Sequence, residues 1–410
     1  MQCTTAIPDL TNEAQGIVFD LGGLYAYFEK LSDKRRAQGK RYTLALVLLL
    51  IVLAKLCGED RPYGIAQWVT ARTRRLIAFL GLSCRRLPSL NTYRRVLQQA
   101  VDVAQLQETV KRFLCRDASA GHSVLLTIDG KTLRGSLVPR QGQAVHLLAA
   151  YLPEEGIVLM QIAVASQENE FSAAPRLLQC LDLRGKIVLG DAIFTQRQLS
   201  LQIVQAGADY IWIAKDNQPR LREAIAQLFQ PPRRTPGWGI PAHDFQRARE
   251  QNKGHGRLEE RILTSSALLN DYLDWPYVAQ VFKLERRRTR LKDGTSCTEV
   301  IYGLTSLSRQ QADAARLLTL VRDYWSMENS LHYRRDTTLR EDATRMTHPA
   351  LAQAIAILNN LVIGLVIQQG WPYLPEARRY YDANPQAALA LLLQQPSSPW
   401  NKPCQGRRIT

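Results

Sequence analysis

A chain of 410 residues with 46% hydrophobic content has room for two or three domains, or one core with additions, and needs no disulfide or metal staple. Lysine and arginine number 53 against 37 aspartates and glutamates, a formal net charge of +16 spread along the whole chain, which favours a long polyanion such as DNA or RNA beside the plainer reading of a solvated basic face. The seven cysteines are scattered, odd in number and without a C-x-x-C pair, so neither a disulfide framework nor a zinc site is indicated, and a reducing cytoplasm fits.

Residues 1–117 read as helical. The stretch LALVLLLIVLA (44–54) is apolar all round. It is about half of the roughly 20 residues a membrane-spanning helix needs, and it lies well inside the chain. It therefore reads as a buried helix, and no membrane association is expected. RPYGIAQWVTARTRRLIAFLGL follows with apolar residues at helical spacing. PSLNTYRRVLQQA (88–100) opens on the turn and cap residues Pro88, Ser89 and Asn91, with Arg94 and Arg95 in the first turns. Two readings stand here: a helix-turn-helix DNA reader with its cations leading, or a helical bundle with a basic face.

The texture changes from residue 122. Strands are expected at 123–129, 144–152 and 156–165, then a helix at 173–182 and a short strand at 186–191. A helix at 195–206, a strand at 209–215 and a helix at 219–229 complete an alternation that implies a mixed sheet with a parallel portion. PPRRTPGWGIP (231–241) breaks the pattern. Residues 243–305 resume as a small antiparallel insertion whose second strand carries ERRRTR (285–290), the heaviest arginine cluster of the chain. Helices return over 309–334, 349–369 and, as a shorter pair, 376–394. The Pro-rich basic tail from 395 reads as disordered.

Two of the expected strands stop on a carboxylate: LLTID at Asp129 and IVLGD at Asp191. In a sheet with a parallel portion, strand C-termini face the functional crevice. Neighbouring carboxylates repel unless a cation intervenes, and Mg²⁺ is a hard ion that prefers carboxylate oxygens. The alternative is that each aspartate merely caps a turn. The segment VRDYWSMENSLHYRRDTTLRED (321–342) offers a third acid, Glu328. On a helical wheel Glu328 shares a polar face with Tyr324, His332 and Arg335. A surface helix laced with i,i+4 pairs is the competing reading.

Taken together the pieces resemble the RNase H-like catalytic core of DDE transposases. More closely, the chain resembles the insertion-sequence transposases related to the H-repeat-associated proteins (ISAs-type). The matching stretches are FEKLSDKRRAQGKRY, KLCGEDRPYGIAQW, PSLNTYRRVL, TIDGKTLRGS, ENEFSAAPRLL, DLRGKIVLGDAIFTQ, KDNQPRL, KGHGRLEER, TEVIYGLTSL and YWSMENSLHYRRDTTLREDATR. They cover roughly residues 25 to 370. The resemblance implies an α/β fold: an RNase H-like mixed-sheet catalytic domain over 118–370, with the β-rich insertion at about 243–305. A helical N-terminal DNA-binding domain (1–117) would precede it, and a helical, basic C-terminal tail (371–410) would follow.

It also implies an acidic triad of Asp129, Asp191 and Glu328 holding two Mg²⁺ or Mn²⁺ ions. The activity would be cleavage of DNA strands at the element ends and joining to target DNA. The partners would be double-stranded DNA and a second copy of the chain, in the bacterial cytoplasm. Cations expected on DNA are Lys131, Arg134, Lys215, Arg335 and Arg322, with Arg94 and Arg95 in the N-terminal domain. The wider group carries a Tyr, Arg, Glu, Lys signature around the last acid. Here Val321 and Tyr324 replace the first two and Arg335 the last, so Arg322 or Arg334 would have to supply the missing contact.

Other site-like residues are Asn169, Glu170, Gln196, His255, Trp325, His332 as a general base, and the rival acids Glu341 and Asp342. Two further outcomes stand beside the transposase. One is a nuclease that cuts without joining. The other is a domesticated or inactive derivative that only binds DNA.

Overall fold

The computed structural model describes residues 22–115, 124–137, 144–230, 244–254, 256–324 and 331–393. Glu328, Trp325, His255 and the C-terminal tail from 394 lie outside the described residues.

The N-terminal region is a helical cluster: α1 (Leu24–Glu29), α2 (Leu44–Leu56), α3 (Pro62–Ala71), α4 (Thr73–Phe79), α5 (Leu90–Arg95) and α6 (Val103–Leu114). All 13 residues of α2 are buried, as a helix apolar on every face must be. Thr43 starts it by accepting a hydrogen bond from the Leu46 amide at 3.2 Å. Asp102 starts α6 in the same way, accepting from the amides of Ala104 and Gln105. Arg94 and Arg95 occupy the last turn of the short α5, and the chain continues into a π-helical turn at Val96–Ala100. Both arginines are exposed.

The second region is built on one sheet. Its strands are β1 (Val124–Leu133), β2 (Val145–Leu152), β3 (Ile157–Val164), β4 (Lys186–Gly190), β5 (Asp209–Ala214), β6 (Gln246–Gly254), β7 (Arg257–Ser266), β8 (Gln280–Arg290) and β9 (Ser296–Thr305). Their order is β3-β2-β1-β4-β5-β9-β8-β7-β6. The first five strands form the mixed part: β1 runs parallel to β4 and β4 to β5, while β2 and β3 are antiparallel. This is the RNase H-like arrangement expected. The four strands of the insertion continue the same sheet, because β9 lies antiparallel on β5. One expectation changes in detail. Asp129 comes just past the stretch of β1 that pairs with β4, which ends at Ile128; β1 itself runs on to Leu133 against β2.

Helices cover both faces. On one face α7 (Glu170–Gln179), α8 (Arg197–Gln205) and α9 (Pro219–Leu228) pack against residues such as Leu126, Ile128, Val188 and Trp212. On the other, Leu125, Ile187, Leu189, Ile211, Ile213, Phe282, Leu284 and Ile301 are covered by α10 (Ala314–Tyr324). The helix expected from 309 begins at Ala314, after a turn in which Ser308 bonds Gln311. The long helix α11 (Pro349–Gln368) packs against β2, β3, α2 and α6. By length and composition α11 could cross a membrane, but 83% of its apolar window is buried inside the fold, so it is a core helix. Each fully buried Leu or Ile contributes roughly 1.5–3 kcal/mol, so α11 is a main tie between the helical cluster and the sheet. The last helices, α12 (Leu374–Ala383) and α13 (Pro385–Leu393), pack against α2 and share its core.

Candidate active site at the ends of the parallel strands

The parallel pairing of β1 with β4 ends at Ile128 opposite Gly190. Asp129 and Asp191 follow on the next rung, on strands about 4.8 Å apart. The two-residue period places both on the face of Leu125, Ile187 and Leu189. Their side chains stay accessible, at 30% and 49% of full exposure. Each is met by a cation or an imidazole. Lys215, just past the end of β5, donates to Asp191 Oδ1 at 2.9 Å. His332 Nε2 lies 3.1 Å from Asp129 Oδ2, but is misaligned for a hydrogen bond. Asp129 Oδ1 also accepts from the Gly130 amide at 2.9 Å.

The loop carrying Asp191 is locked to the end of β5. Asn217 donates to the Ala192 carbonyl at 2.5 Å, Thr195 to the Ile213 carbonyl at 2.7 Å and Gln218 to the Thr195 carbonyl at 3.0 Å. Asn217 and Gln218 were missed as functional residues. The signal was present in KDNQPRL, where polar residues that bond backbone directly follow a strand.

A segment from Leu331 to Met346 lies along the continuation of β1. Lys131 donates to both carboxylate oxygens of Asp336, at 2.6 and 2.7 Å. The Arg134 amide donates to Asp342 at 3.2 Å, and the Met346 amide to the Gly135 carbonyl at 2.8 Å. A methyl group on Gly135 would run into the Thr344 carbonyl, so only glycine allows this approach.

The inner side of the same segment is sealed. Arg335 is fully buried and pairs with Glu341 at 2.8 Å, while Asn359 donates to the other oxygen of Glu341 at 2.7 Å. Arg378 donates to the Thr338 carbonyl, the Lys55 carbonyl and Asp60. Lys55 is also fully buried, 3.7 Å from Asp60, and burial pulls its pKa below the usual lysine range.

The expected cations thus separate. Lys215 stands on an acid of the site. Arg134 is 83% exposed, with Asp342 a loose partner at 4.0 Å. Lys131 is occupied by Asp336, and Arg322, half-exposed, is held by Glu250 at 2.6 Å. Arg335 must be corrected: its guanidinium is in the core against Glu341 and cannot face DNA in this arrangement. The chain departs from the ordinary helical wheel there, through a π-helical turn at Arg334–Thr338. Arg334 reaches the Pro372 carbonyl at 3.1 Å.

The other candidates are accounted for. Asn169 caps α7 in a reciprocal pair with Ser172. Glu170 Oε1 accepts from His146 Nε2 at 2.9 Å, and His146 Nδ1 bonds the Thr132 hydroxyl at 2.8 Å. Glu170 also lies where a methyl group on Gly130 would be, so it backs the strand end from the opposite face. Gln196 precedes α8 without capping it.

Two accessible carboxylates on neighbouring strand ends supply hard oxygen donors that suit Mg²⁺ or Mn²⁺. Among the described residues no group of three His, Cys, Asp or Glu is placed to hold a metal. The third acid offered by the sequence, Glu328, is outside them.

Comparison with known proteins shows the family. The family described as "Transposase DDE domain" matches residues 121–365, well over half of the chain. The description "DDE_Tnp_1-associated" matches residues 25–114, the helical cluster. "Putative transposase YncI" of Escherichia coli O157:H7 is 26% identical over 361 residues, covering 84% of this chain and 87% of its own. "H repeat-associated putative transposase YhhI" of Escherichia coli strain K12 is 25% identical over 352 residues, covering 85% and 91%. Among solved structures, the piggyBac transposase synaptic complex with hairpin DNA aligns at a TM-score of 0.44 and 10% identity, over 90% of this chain and 77% of that one.

Proposed function

The chain belongs to the DDE-domain transposase family, and from that premise we propose that it binds the terminal repeats of an insertion sequence, cuts DNA strands there and joins them to a target. The observation that carries this reading is the placement of Asp129 and Asp191 side by side, half-exposed, at the ends of neighbouring parallel strands.

Asp129, Asp191 and Glu328 would hold the divalent ions. When bound, such ions neutralise charge on the phosphate oxygens and acidify the attacking hydroxyl. In sequence Glu328 is four residues from His332, whose Nε2 lies 3.1 Å from Asp129. His332 and Lys215 occupy the acids in the absence of other cations and can turn to the phosphate when the acids are engaged. Arg134 provides a further open cation for the backbone. The first displacement puts water on phosphorus and releases the strand's 3′-oxygen with a proton. The second puts that 3′-hydroxyl on a target phosphate and breaks that phosphorus's bond to the target strand's 3′-oxygen, which leaves as a hydroxyl with the proton, so no covalent protein intermediate forms. Bringing two element ends together calls for at least two copies of the chain, acting on DNA in the cytoplasm.

The test is a labelled duplex ending in the element's own repeat, incubated with Mg²⁺ and the purified protein or its Glu328→Gln variant. Cleaved and joined products from the wild type alone support the reading. Cleavage without joining makes the protein a nuclease. Binding with neither product, equal in both proteins, makes it a DNA binder only.

A further inference from the structure

The arginine cluster of β7 and β8 has no part in the chemistry above, yet the register places it on the face of the acids. Asp191 follows Leu189 and Gly190, and the pairing of β4 with β5 carries its rung to Ile213. Ile213 pairs with Gly303, and Gly303 with Phe282. Alternate residues outward from Phe282 on β8 are Leu284, Arg286, Arg288 and Arg290. Arg286 faces Arg261 and Glu299, Arg288 faces Glu259 and Cys297, and Arg290 faces Arg257. Leu284 and its neighbours lie under α10. The arginines lie beyond that cover, toward the end of the sheet that carries Asp129 and Asp191.

Charge in this patch is out of balance. One carboxylate, Glu259, serves three guanidiniums: Arg261 at 2.5 Å, Arg257 at 2.7 Å and Arg286 at 3.7 Å. Among the described residues Arg288 pairs with Glu299, at 3.6 Å. Arg261 is nine-tenths buried, and its Nε has no hydrogen-bond partner among the described residues. Burial works to raise the Glu259 carboxyl, but Arg261, Arg257 and Arg286 hold it below the ordinary range. Burial and the neighbouring Arg288 lower the Arg286 guanidinium in turn, the mark of crowded cations.

We infer that this face binds the phosphate backbone of duplex DNA on one side of the reacting phosphate. The inference rests on the transposase reading and adds to it a second contact surface. Arg286, Arg288 and Arg290 recur about every 6.8 Å along one strand, a regular spacing suited to a polyanion of regular charge. Guanidinium is the side chain best shaped for phosphate. Three strand spacings across and four residues outward put Arg286 roughly 20 Å from Asp191, on the order of six base steps along DNA.

The test uses Arg288→Glu/Arg290→Glu, both exposed and outside the catalytic machinery. Binding of a labelled duplex carrying the element's end is followed by fluorescence anisotropy across a salt series. The expected result is binding weakened by tenfold or more at moderate salt. The slope of log affinity against log salt should be shallower by about two, one unit per lost phosphate contact. The Arg288→Lys/Arg290→Lys protein should keep most of the slope, and Asp129→Asn all of it. Wild-type affinity and slope in the Glu variant would overturn the inference while leaving the transposase reading intact. A wild-type protein that does not bind the duplex at all would overturn both.

Discussion

Two charged clusters lie on opposite sides of the segment from Leu331 to Met346, and they behave as opposites. On the sheet side, Asp129, Asp191, Lys215 and Asp336 are all partly open to solvent. On the inner side, Lys55, Arg335, Glu341 and Arg378 are sealed in the core. An open ion pair contributes about 0–1 kcal/mol and exchanges partners readily. A buried pair that loses one member leaves an uncompensated charge and costs about 3–5 kcal/mol. The open cluster can therefore release its cations to an incoming metal or phosphate, while the closed one fixes the frame on which that exchange happens.

The largest effects should divide along the same line. Asp191→Asn should lower strand cleavage by about a thousandfold or more, since it removes several kcal/mol of transition-state stabilisation. It should leave the urea unfolding midpoint nearly unchanged. Glu341→Ala should do the reverse first, costing about 3–5 kcal/mol of unfolding free energy by stranding Arg335. A Glu341→Ala protein as stable as the wild type would break the comparison.

Lys55 gives a smaller effect with a definite sign. Its folded pKa lies below the ordinary 10.5, so between the two values the unfolded chain binds more protons. Stability attributable to Lys55 therefore rises as pH climbs from the folded value toward 10.5, and is lost as pH falls through the folded value. Lys55→Met should flatten that rise, because it removes the titrating group while Asp60 keeps Arg378 as its partner at 2.8 Å. Urea titrations at several pH values would show it. The smallest change should come from Asp336→Ala, which frees Lys131 on the open side and should cost less than about 1 kcal/mol.

The open cluster was far more legible in the sequence than the closed one. Asp129 and Asp191 could be read because each stops an apolar run at a strand end, a local pattern that parallel pairing turns into proximity. Gly130 and Lys131 looked like a turn because glycine and lysine are poor strand residues, but the pairing with β2 carries the strand through them. Arg335 was misplaced for a geometric reason. A regular wheel aligns it with His332, whereas the i→i+5 bond from the Leu339 amide to the Arg334 carbonyl inserts a residue and turns Arg335 inward. Its partners sit at Glu341 and, through it, at Asn359, and no local pattern announces the second. The insertion read correctly as antiparallel, but the polar strand Gln246–Gly254 that opens it was not expected, so ERRRTR lies on its third strand, β8, and not its second. Its union with the core depends on β9 meeting β5, nearly ninety residues later in the chain.

The most direct test of the open cluster as a metal site is strand cleavage by Asp191→Cys in Mg²⁺ and in Mn²⁺, on the duplex carrying the element's end. Sulfur is a poor donor to Mg²⁺ and a better one to Mn²⁺, a softer ion. The account predicts cleavage lost in Mg²⁺ and restored in substantial part by Mn²⁺. Wild-type cleavage by the variant in Mg²⁺ would contradict it.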